Sequence, residues 1–353
     1  MPGMADHARA LVVGATGQIG RAAVHALVAD GWEVTAASRG GGRDARWPRE
    51  VRTLALDRDE PEALAAAVGE GVGLLVDVTA MSGEHARQLA ALTGRVGSAV
   101  VLSSAAVYVD ARGRAFGAHS DPGLCADYPV PLTERQPTLE PGEGYGAQKV
   151  LLERELLALG KRLPVTLLRA GAVHGPHCRT PRELYFVKRW LDGRPVRVLA
   201  YGGESRFQPV HVDNVAELVR LAARRPASRV LNAGDPTAPT VAEIARAVDA
   251  AVGWECETVL LEGAPPAAEP SVGRTPWSLP KPLVFDMAAA EAELGYRPVT
   301  TYEESLPRTV EWLAATLRGR DWRVAFPEMA AAYEPTELFA YDAEDRWLAG
   351  RRA

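Results

Sequence analysis

Short apolar runs and amphipathic segments alternate along the first part of the chain. Five apolar runs have the length of strands, at 10–13, 33–37, 52–56, 74–78 and 99–102. Between them, apolar residues recur with the spacing of a helix face, at 21–29, 62–68 and 84–92. Strands that alternate with helices favour right-handed crossovers and a parallel sheet covered on both faces. We therefore predict an α/β fold of the Rossmann type, with a doubly wound parallel sheet.

Later segments of the chain return to this sheet from a second region. A sixth strand is predicted at 165–168, and a further strand at 230–232 precedes a capped helix at 240–252. We predict a dinucleotide-binding domain and a smaller, interleaved C-terminal substrate domain. The predicted bounds are 1–175 with a return near 207–235 for the first, and 176–206 with 236–320 for the second.

Three segments follow neither the strand period nor the helix period. Residues 110–144 are rich in proline, glycine and charge, and we expect this long loop to cover a substrate pocket. A second proline-rich stretch, 263–282, predicts a loop of the substrate region. The tail, 321–353, is amphipathic and aromatic, so we expect it to pack on the body of the protein or on the partner subunit of a homodimer.

The composition of the chain argues against several classes of protein. A chain of 353 residues with 47% hydrophobic content can bury a large core, and a net charge of -5 argues against a general nucleic-acid binder. No apolar stretch is long enough to span a bilayer and the N-terminus lacks a signal pattern, so we expect a cytoplasmic protein without membrane contact. Three distant cysteines predict neither disulfides nor a zinc site. We expect a small-molecule partner, and an anionic substrate stays open.

A glycine-rich turn follows the first predicted strand directly and opens the first helix. Its sequence, Gly-Ala-Thr-Gly-Gln-Ile-Gly, places glycines at Gly14, Gly17 and Gly20. Glycine permits the tight turn and lets backbone N–H groups approach a pyrophosphate, whose charge the helix N-terminus favours. We predict a dinucleotide site that includes Gly14, Thr16, Gly17, Gln18, Ile19 and Gly20.

The end of the second strand indicates which dinucleotide is bound. An NAD site places an acidic residue there for the ribose 2′-hydroxyl, whereas this chain has Ser38 and Arg39. Arg39, with Arg21 as a candidate helper, suits a 2′-phosphate, so we predict NADP(H), with NAD(H) as the alternative. Stacking of Arg39 on adenine is a second interpretation. Further predicted cofactor contacts are Asp57 and Arg58 near adenine, and Thr79 and Ala80 near the pyrophosphate.

A tyrosine and a lysine four residues apart lie on one face of the helix that precedes the sixth strand. A phenol is a poor base at neutral pH, and a neighbouring cation such as the Lys149 ammonium is expected to stabilise its phenolate form. Lysine can also hold the nicotinamide ribose. The pair is downstream of Ser103 and Ser104, at the tip of the fifth strand.

Together these motifs resemble the extended short-chain dehydrogenase/reductase superfamily, the NAD-dependent epimerase/dehydratases, over most of the chain. The resemblance implies that Ser104 orients the substrate oxygen, that Tyr145 exchanges the proton with Lys149 beside it, and that Val173 lies where the family contacts nicotinamide. Besides the glycine turn and the Tyr145/Lys149 pair, the segments that carry the resemblance are 103–108, 168–176 and 210–216.

Departures from the family pattern affect the predicted chemistry. Sugar-nucleotide 4,6-dehydratases carry acidic residues after the catalytic hydroxyl, where this chain has Ala105 and Ala106, so dehydration is disfavoured. The fourth strand also resembles the atypical branch near the chloroplast stem-loop RNA-binding proteins. We predict an NADP(H)-dependent ketoreductase or dehydrogenase. The alternatives are a nucleotide-sugar epimerase and a non-catalytic nucleotide-sensing or RNA-associated module.

Several other polar residues have more than one interpretation. His174 and His177 are close in sequence, but we expect no metal there. His211 has the position of a structural histidine. The basic residues of the predicted substrate region bind an anion or simply face solvent; they are Arg182, Lys188, Arg189 and Arg206.

Overall fold

A seven-stranded parallel sheet forms the centre of the protein in a computed structural model, which describes residues 9–116, 124–334 and 337–352. Its strands, and four shorter strands outside it, are β1 (Arg9–Val13), β2 (Glu33–Ser38), β3 (Arg52–Ala55), β4 (Val72–Asp77), β5 (Val96–Ser104), β6 (Val165–Ala170), β7 (Ala172–His174), β8 (Val196–Leu199), β9 (Pro209–His211), β10 (Arg229–Ala233) and β11 (Glu257–Leu260). The order across the central sheet is β10-β6-β5-β4-β1-β2-β3. The order reverses between β1 and β4, where a doubly wound sheet opens a ligand crevice at the carboxyl ends of its strands.

Helices cover both faces of the sheet. The helices are α1 (Gln18–Ala29), α2 (Ala63–Val68), α3 (Gly83–Ala90), α4 (Tyr145–Leu157), α5 (Leu184–Leu191), α6 (Val212–Arg224), α7 (Val241–Val252), α8 (Ala288–Leu294), α9 (Tyr302–Leu317), α10 (Trp322–Ala325), α11 (Pro327–Tyr333) and α12 (Tyr341–Arg352). Buried side chains of α1, α6 and α8 form one core against the sheet, and those of α2, α3 and α4 form the core on the opposite face. The predicted Rossmann-type fold is confirmed.

Continuous burial explains why the central strands were predictable. Every residue of β6 is buried, and β1 and β4 are buried along most of their length. Strands covered on both faces need apolar residues at successive positions rather than at alternate ones. The apolar runs of the sequence are therefore the strands of this sheet.

A third core holds the smaller region of the protein. It joins α5, α7 and α9 to irregular segments, and two parallel strand pairs, β7 with β9 and β8 with β11, flank it. The proline-rich segment 263–282 contains no helix or strand. The largest fully buried side chains of this third core are Trp277, Tyr108, Tyr185 and Tyr302.

The C-terminal tail packs on this third core. Trp322, Phe326 and Met329 are buried within it, and Glu344 of α12 is almost fully buried as well. The Arg189 guanidinium of α5 donates to Glu344 Oε2 at 2.7 Å, and the Val198 backbone N–H of β8 donates to Oε1 at 2.9 Å. The tail of this chain thus contacts α5 and β8 of the smaller region.

The loop predicted at 110–144 is irregular wherever it is described, and 117–123 lie outside the described residues. Its base is held by the buried carboxylate of Asp110. The backbone N–H groups of Arg112, Arg114 and Asp127 donate to that carboxylate at 2.8–3.0 Å. Burial would raise the pKa of Asp110, but these hydrogen bonds and the Arg114 side chain outweigh it and hold the pKa below its usual range.

Candidate active site

A groove of about 670 Å³ lies at the carboxyl ends of β1, β2 and β4. Its position is the switch point of the sheet, where the fold places a dinucleotide. The groove brings together most of the cofactor residues predicted from the sequence. Those that line it are Gly14, Thr16, Gly17, Gln18, Ile19, Arg39, Asp57, Arg58 and Thr79.

The glycine turn is shaped by contacts that exclude side chains. Gly14 has φ of 81°, and a Cβ there would lie 2.5 Å from Thr79 Cγ2. A Cβ on Gly20 would lie 2.2 Å from the Gly14 carbonyl oxygen. The turn therefore packs directly against α1 and β4, and its backbone is left open to the groove. These residues fit the pyrophosphate of a dinucleotide at the N-terminus of α1.

At the end of β2, two polar side chains face the groove without a bond to the described part of the protein. Ser38 Oγ is buried and has no hydrogen-bond partner among the described residues. Arg39 is exposed and forms no ion pair with a described residue. A buried hydroxyl without a partner is costly unless a ligand or water completes it. Ser38 and Arg39 therefore fit the ribose end of a dinucleotide.

Arg21 does not lie with Arg39, contrary to the helper role considered from the sequence. Its Nε donates to the Thr16 carbonyl oxygen at 2.7 Å, and its Nη1 forms an ion pair with Asp44. Asp44 is itself buried. Arg21 is thus engaged in holding the glycine turn against residues 44–47, outside the groove.

Arg58 is held inside the wall of the groove. Its Nε donates to Asp77 Oδ2 at 2.7 Å and its Nη2 to the His85 carbonyl oxygen at 3.1 Å. The other oxygen of Asp77 accepts from the backbone N–H groups of Thr79 and Ala80, both at 2.9 Å. The Arg58–Asp77 pair therefore shapes the turn after β4. Sequence reasoning assigned no role to Asp77, because its partner lies 19 residues earlier in the chain.

The predicted catalytic residues meet where β5 ends and α4 begins. Tyr145 is the first residue of α4 and is half exposed, whereas Lys149 is 3% exposed. Lys149 Nζ lies 5.8 Å from the Tyr145 ring centroid and donates to the carbonyl oxygens of Ala80 at 2.5 Å and Leu102 at 2.8 Å. Ser104 Oγ accepts from the Ala106 backbone N–H at 3.2 Å. One of the three Lys149 N–H groups stays available for a ribose hydroxyl.

Burial sets the ionisation of the lysine. It lowers the pKa of Lys149 to about 8, although the carboxylates of Asp77 and Glu153 favour the charged form. Lys149 is therefore mostly protonated at neutral pH and loses its proton at a slightly higher pH. A cation of this kind beside a phenol favours the phenolate.

A buried ion pair fixes the inner face of α4. The Arg169 guanidinium of β6 donates to both oxygens of Glu153, at 2.6 and 3.0 Å, and Ser103 Oγ donates to Oε1 at 2.5 Å. Arg169 also lies 4.7 Å from the centroid of the Tyr108 ring. Glu153 lies eight residues after Tyr145 on the same helix, so this network positions α4 on the sheet. The Glu153–Arg169 pair was not identified from the sequence.

A second cavity, of about 640 Å³, lies between the described part of the 110–144 loop and the proline-rich segment. Phe116, Tyr128 and Tyr201 supply aromatic surface, and Arg274 and Lys281 supply positive charge. No Asp or Glu is among the described residues that line it. Lys281 also pairs with Asp127 at 3.6 Å, so the cavity offers an apolar surface whose positive charge comes mainly from Arg274.

The four basic residues considered for anion binding are not part of this lining. Lys188 pairs with Asp192 at 2.5 Å, Arg189 with Glu344 at 2.7 Å, and Arg206 donates to the Ala238 carbonyl oxygen at 3.0 Å. The Arg182 guanidinium lies over Phe207, 5.0 Å from the ring centroid.

The histidines after β6 belong to a buried network. His174 Nε2 lies 2.7 Å from Asp235 Oδ2, and the His211 backbone N–H donates to Oδ1 of the same carboxylate at 2.7 Å. Burial lowers the pKa of His211 to about 4. Val173, between these segments, lies partly buried in β7 and outside the lining of the dinucleotide groove. In the described ranges, no group of three or more His, Cys, Asp or Glu residues could hold a metal ion.

None of the described helices is both long and apolar enough to cross a membrane.

Curated proteins with a related sequence cover only part of this chain. A 2'-dehydrokanamycin reductase of Streptomyces kanamyceticus is 31% identical over 234 residues, which are 64% of this chain and 61% of that protein. The chain spans less than two thirds of the length of two curated relatives that it matches, 56% and 61%.

Solved structures share the fold at low sequence identity. A putative epimerase from Burkholderia cenocepacia has a TM-score of 0.67 at 21% identity, with 87% of this chain and 98% of that chain covered. A UDP-glucose 4-epimerase from Thermotoga maritima has a TM-score of 0.64 at 21% identity, with 88% and 99% covered. The model of the NAD dependent epimerase/dehydratase family matches residues 10–234. This match spans the glycine turn, the Tyr145/Lys149 pair and β10, and on it the chain belongs to the NAD dependent epimerase/dehydratase family.

Proposed function

We propose that the protein is an NADP(H)-dependent reductase or dehydrogenase that moves a hydride between nicotinamide and a carbonyl or secondary alcohol. The observation that carries the proposal is the placement of Lys149. Its ammonium is held by the carbonyl groups of Ala80 and Leu102, one helical turn from a half-exposed tyrosine. This arrangement suits proton transfer by a phenol next to a bound dinucleotide.

Each residue of the site has a defined task in this proposal. In the reducing direction, nicotinamide supplies the hydride that reaches the carbonyl carbon. Tyr145 donates its phenolic proton to the carbonyl oxygen, which becomes the alcohol, and Lys149 stabilises the resulting phenolate. Ser104 orients the oxygen, and the exposure of Tyr145 lets solvent return the proton. The reverse sequence oxidises the alcohol.

The preference for NADP(H) rests on the end of β2. Arg39 is available to a 2′-phosphate, and the buried Ser38 hydroxyl can donate to it. A charge-assisted hydrogen bond contributes roughly 1.5–3 kcal/mol, so NADPH should bind about tenfold to a hundredfold more tightly than NADH.

Replacement of Arg39 tests this preference. Arg39→Asp removes the phosphate contact and supplies an acceptor for the ribose hydroxyls, so NADH should then bind more tightly than NADPH. Arg49→Asp, at an exposed arginine outside the groove, makes the same charge change and should leave the ratio unaltered. Equal affinities of the wild type for NADPH and NADH would instead support stacking of Arg39 on the adenine.

The substrate that we propose is a small molecule with an anionic group. Arg274 supplies positive charge to the cavity beside the proline-rich segment, and Lys281 there pairs with the exposed Asp127 at 3.6 Å. The relative named as a 2'-dehydrokanamycin reductase supports a reductase rather than an epimerase.

An assay with a panel of carbonyl compounds, anionic members included, separates the candidate functions. A reductase consumes NADPH in proportion to product. An epimerase interconverts stereoisomers with no net change in cofactor, and a non-catalytic module binds the cofactor without turnover of any compound. Net oxidation of NADPH that Tyr145→Phe abolishes is the result we expect.

A further inference from the structure

Arg179 reaches the dinucleotide groove from the loop after β7. Its side chain is 67% exposed and lines both this groove and an adjoining cavity of about 320 Å³, and Thr16 of the glycine turn also lines both. Three arginines line the described groove: Arg39 at the end of β2, Arg58 within its ion pair, and Arg179. Of these three, Arg179 is the one that also lines the adjoining cavity, where Thr16 and Arg21 lie as well.

The backbone around Arg179 is fixed although its side chain is exposed. Gln18 Nε2 of α1 donates to the Gly175 carbonyl oxygen at 3.0 Å, which ties the loop to the glycine turn. The His177 ring packs 5.8 Å from that of Trp312, and Cys178 is buried. A ligand of Arg179 therefore has to order only one side chain.

The partner of Arg179 comes from the C-terminal tail. Arg179 Nη1 donates to Glu328 Oε1 at 2.9 Å, and the Glu328 side chain is 52% exposed. Glu328 lies in the first turn of α11, which the buried side chains of Phe326 and Met329 hold on the body. Water screens an exposed ion pair strongly, whereas an arginine–phosphate contact is charge-assisted and often bidentate. The guanidinium can therefore leave the carboxylate for a phosphate.

We propose that Arg179 is a ligand of the dinucleotide's pyrophosphate and that Glu328 competes with the pyrophosphate for the guanidinium. Through this competition the C-terminal tail sets the affinity for the cofactor. The inference rests on the proposed function for the identity of the ligand. Arg39 and Arg179 both line the groove, but Arg179 also lines the adjoining cavity with Thr16 of the glycine turn, so we assign it to the pyrophosphate rather than the 2′-phosphate.

A double-mutant cycle with cofactor titration, read from tryptophan fluorescence or calorimetry on the full chain, tests this inference. Arg179→Gln should weaken binding of NADPH and NADH alike by about tenfold, or 1.4 kcal/mol. Glu328→Gln should tighten both severalfold, because it releases Arg179. In the Arg179→Gln background, Glu328→Gln should have little effect. Arg297→Gln, in an exposed pair with Glu291 at 3.3 Å, is the matched control and should leave affinity unchanged.

Three outcomes would overturn the inference. Unchanged affinity in Arg179→Gln would remove Arg179 from the site, and a loss confined to NADPH would assign it to the 2′-phosphate. An equal gain from Glu328→Gln with and without Arg179 would show that Glu328 acts by charge alone. If the wild type bound neither dinucleotide, the proposed function itself would fail, which is a different result.

Discussion

Tyr145 and Lys149 share a helix face but meet very different surroundings. The tyrosine is 50% exposed, and the lysine is buried against the ends of β4 and β5. A proton-transfer group needs access to substrate and solvent, whereas the cation beside it acts more strongly where water is excluded. The difference in burial thus matches the difference in proposed task.

Loss of the Tyr145 hydroxyl should stop turnover without disturbing the cofactor. We expect Tyr145→Phe to lower kcat by at least a hundredfold, about 2.7 kcal/mol of barrier, with the cofactor dissociation constant within about twofold of wild type. Tyr296→Phe is the control, because the buried Tyr296 hydroxyl has no hydrogen-bond partner among the described residues. Steady-state kinetics and cofactor titration measure both quantities, and a loss of kcat below tenfold would remove Tyr145 from the proposed role.

The titration of Lys149 should appear in cofactor binding. Below its pKa of about 8 the side chain is a cation that attracts the anionic dinucleotide, and above it the charge is lost. NADH affinity should therefore be steady between about pH 6.5 and 7.5 and fall as the pH rises further. NADH is the ligand of choice, since it has no 2′-phosphate that titrates near pH 6. Lys149→Met should bind more weakly with no step near pH 8; a step retained in this variant would assign it to another group.

Among individual residues, the sequence predicted those of the groove that belong to local motifs. It missed the residues whose ion-pair partners are distant in the chain. Gly14, Thr16 and Arg39 line the groove as expected. Asp77 and Glu153 were missed because each is defined by an arginine 16 to 19 residues away, Arg169 for Glu153 and Arg58 for Asp77, and no local pattern marks such a pair.

The catalytic helix α4 depends on a charge pair at its inner face. Glu153, Arg169 and Ser103 connect α4 to β5 and β6, and all three are buried. Burial opposes the charge on Arg169, but the Glu153 carboxylate outweighs it and raises the pKa of the guanidinium. Arg169 therefore stays charged although it is buried.

Glu153→Gln should destabilise the protein strongly. It leaves the Arg169 charge buried without a counter-charge, which typically costs about 3–5 kcal/mol. Glu140→Gln is the matched control on the outer side of α4, where Glu140 and Arg154 form an exposed pair at 2.8 Å, and its effect should be far smaller. Urea unfolding followed by circular dichroism compares the two. Similar midpoints for both variants would mean that the buried pair contributes no more than an exposed one.

The strands that the sequence did not predict are short and pair with distant partners. β7, β8, β9 and β11 have three or four residues each, and β7 pairs with β9 across 37 positions in register. Such strands lack the continuous apolar run that marks β1 or β6. By contrast, α7 was predicted to within one residue, because the Thr240–Glu243 capping box at its N-terminus is a local sequence pattern.

On the scale of the whole molecule, the tail connects regions that are far apart in sequence. Glu344 of α12 pairs with Arg189 of α5 and accepts from the Val198 N–H of β8, across 155 and 146 positions. Glu328 of α11 meanwhile pairs with Arg179, which lines the dinucleotide groove. The aromatic composition of the tail predicted that it packs on the body of the protein. No local sequence pattern identifies Glu328 and Glu344, the carboxylates that pair with the body.

Glu344→Gln should therefore release the tail before the rest of the protein unfolds. The substitution leaves the Arg189 guanidinium, 7% exposed, without its counter-charge, at a typical cost of about 3–5 kcal/mol, because water cannot replace the lost carboxylate there. Its neighbour Asp345 offers the matched control, since it pairs with Arg194 at 2.5 Å but is 55% exposed, and Asp345→Asn should change little.

Limited proteolysis should cut Glu344→Gln first within 334–352, at temperatures where the remaining chain is still folded. Hydrogen exchange should rise in α12, α5 and β8, while β1 and β4 stay protected. Equal protection of the tail in the two variants would show that apolar packing of Trp322, Phe326 and Met329 holds it without help from the buried charge pair.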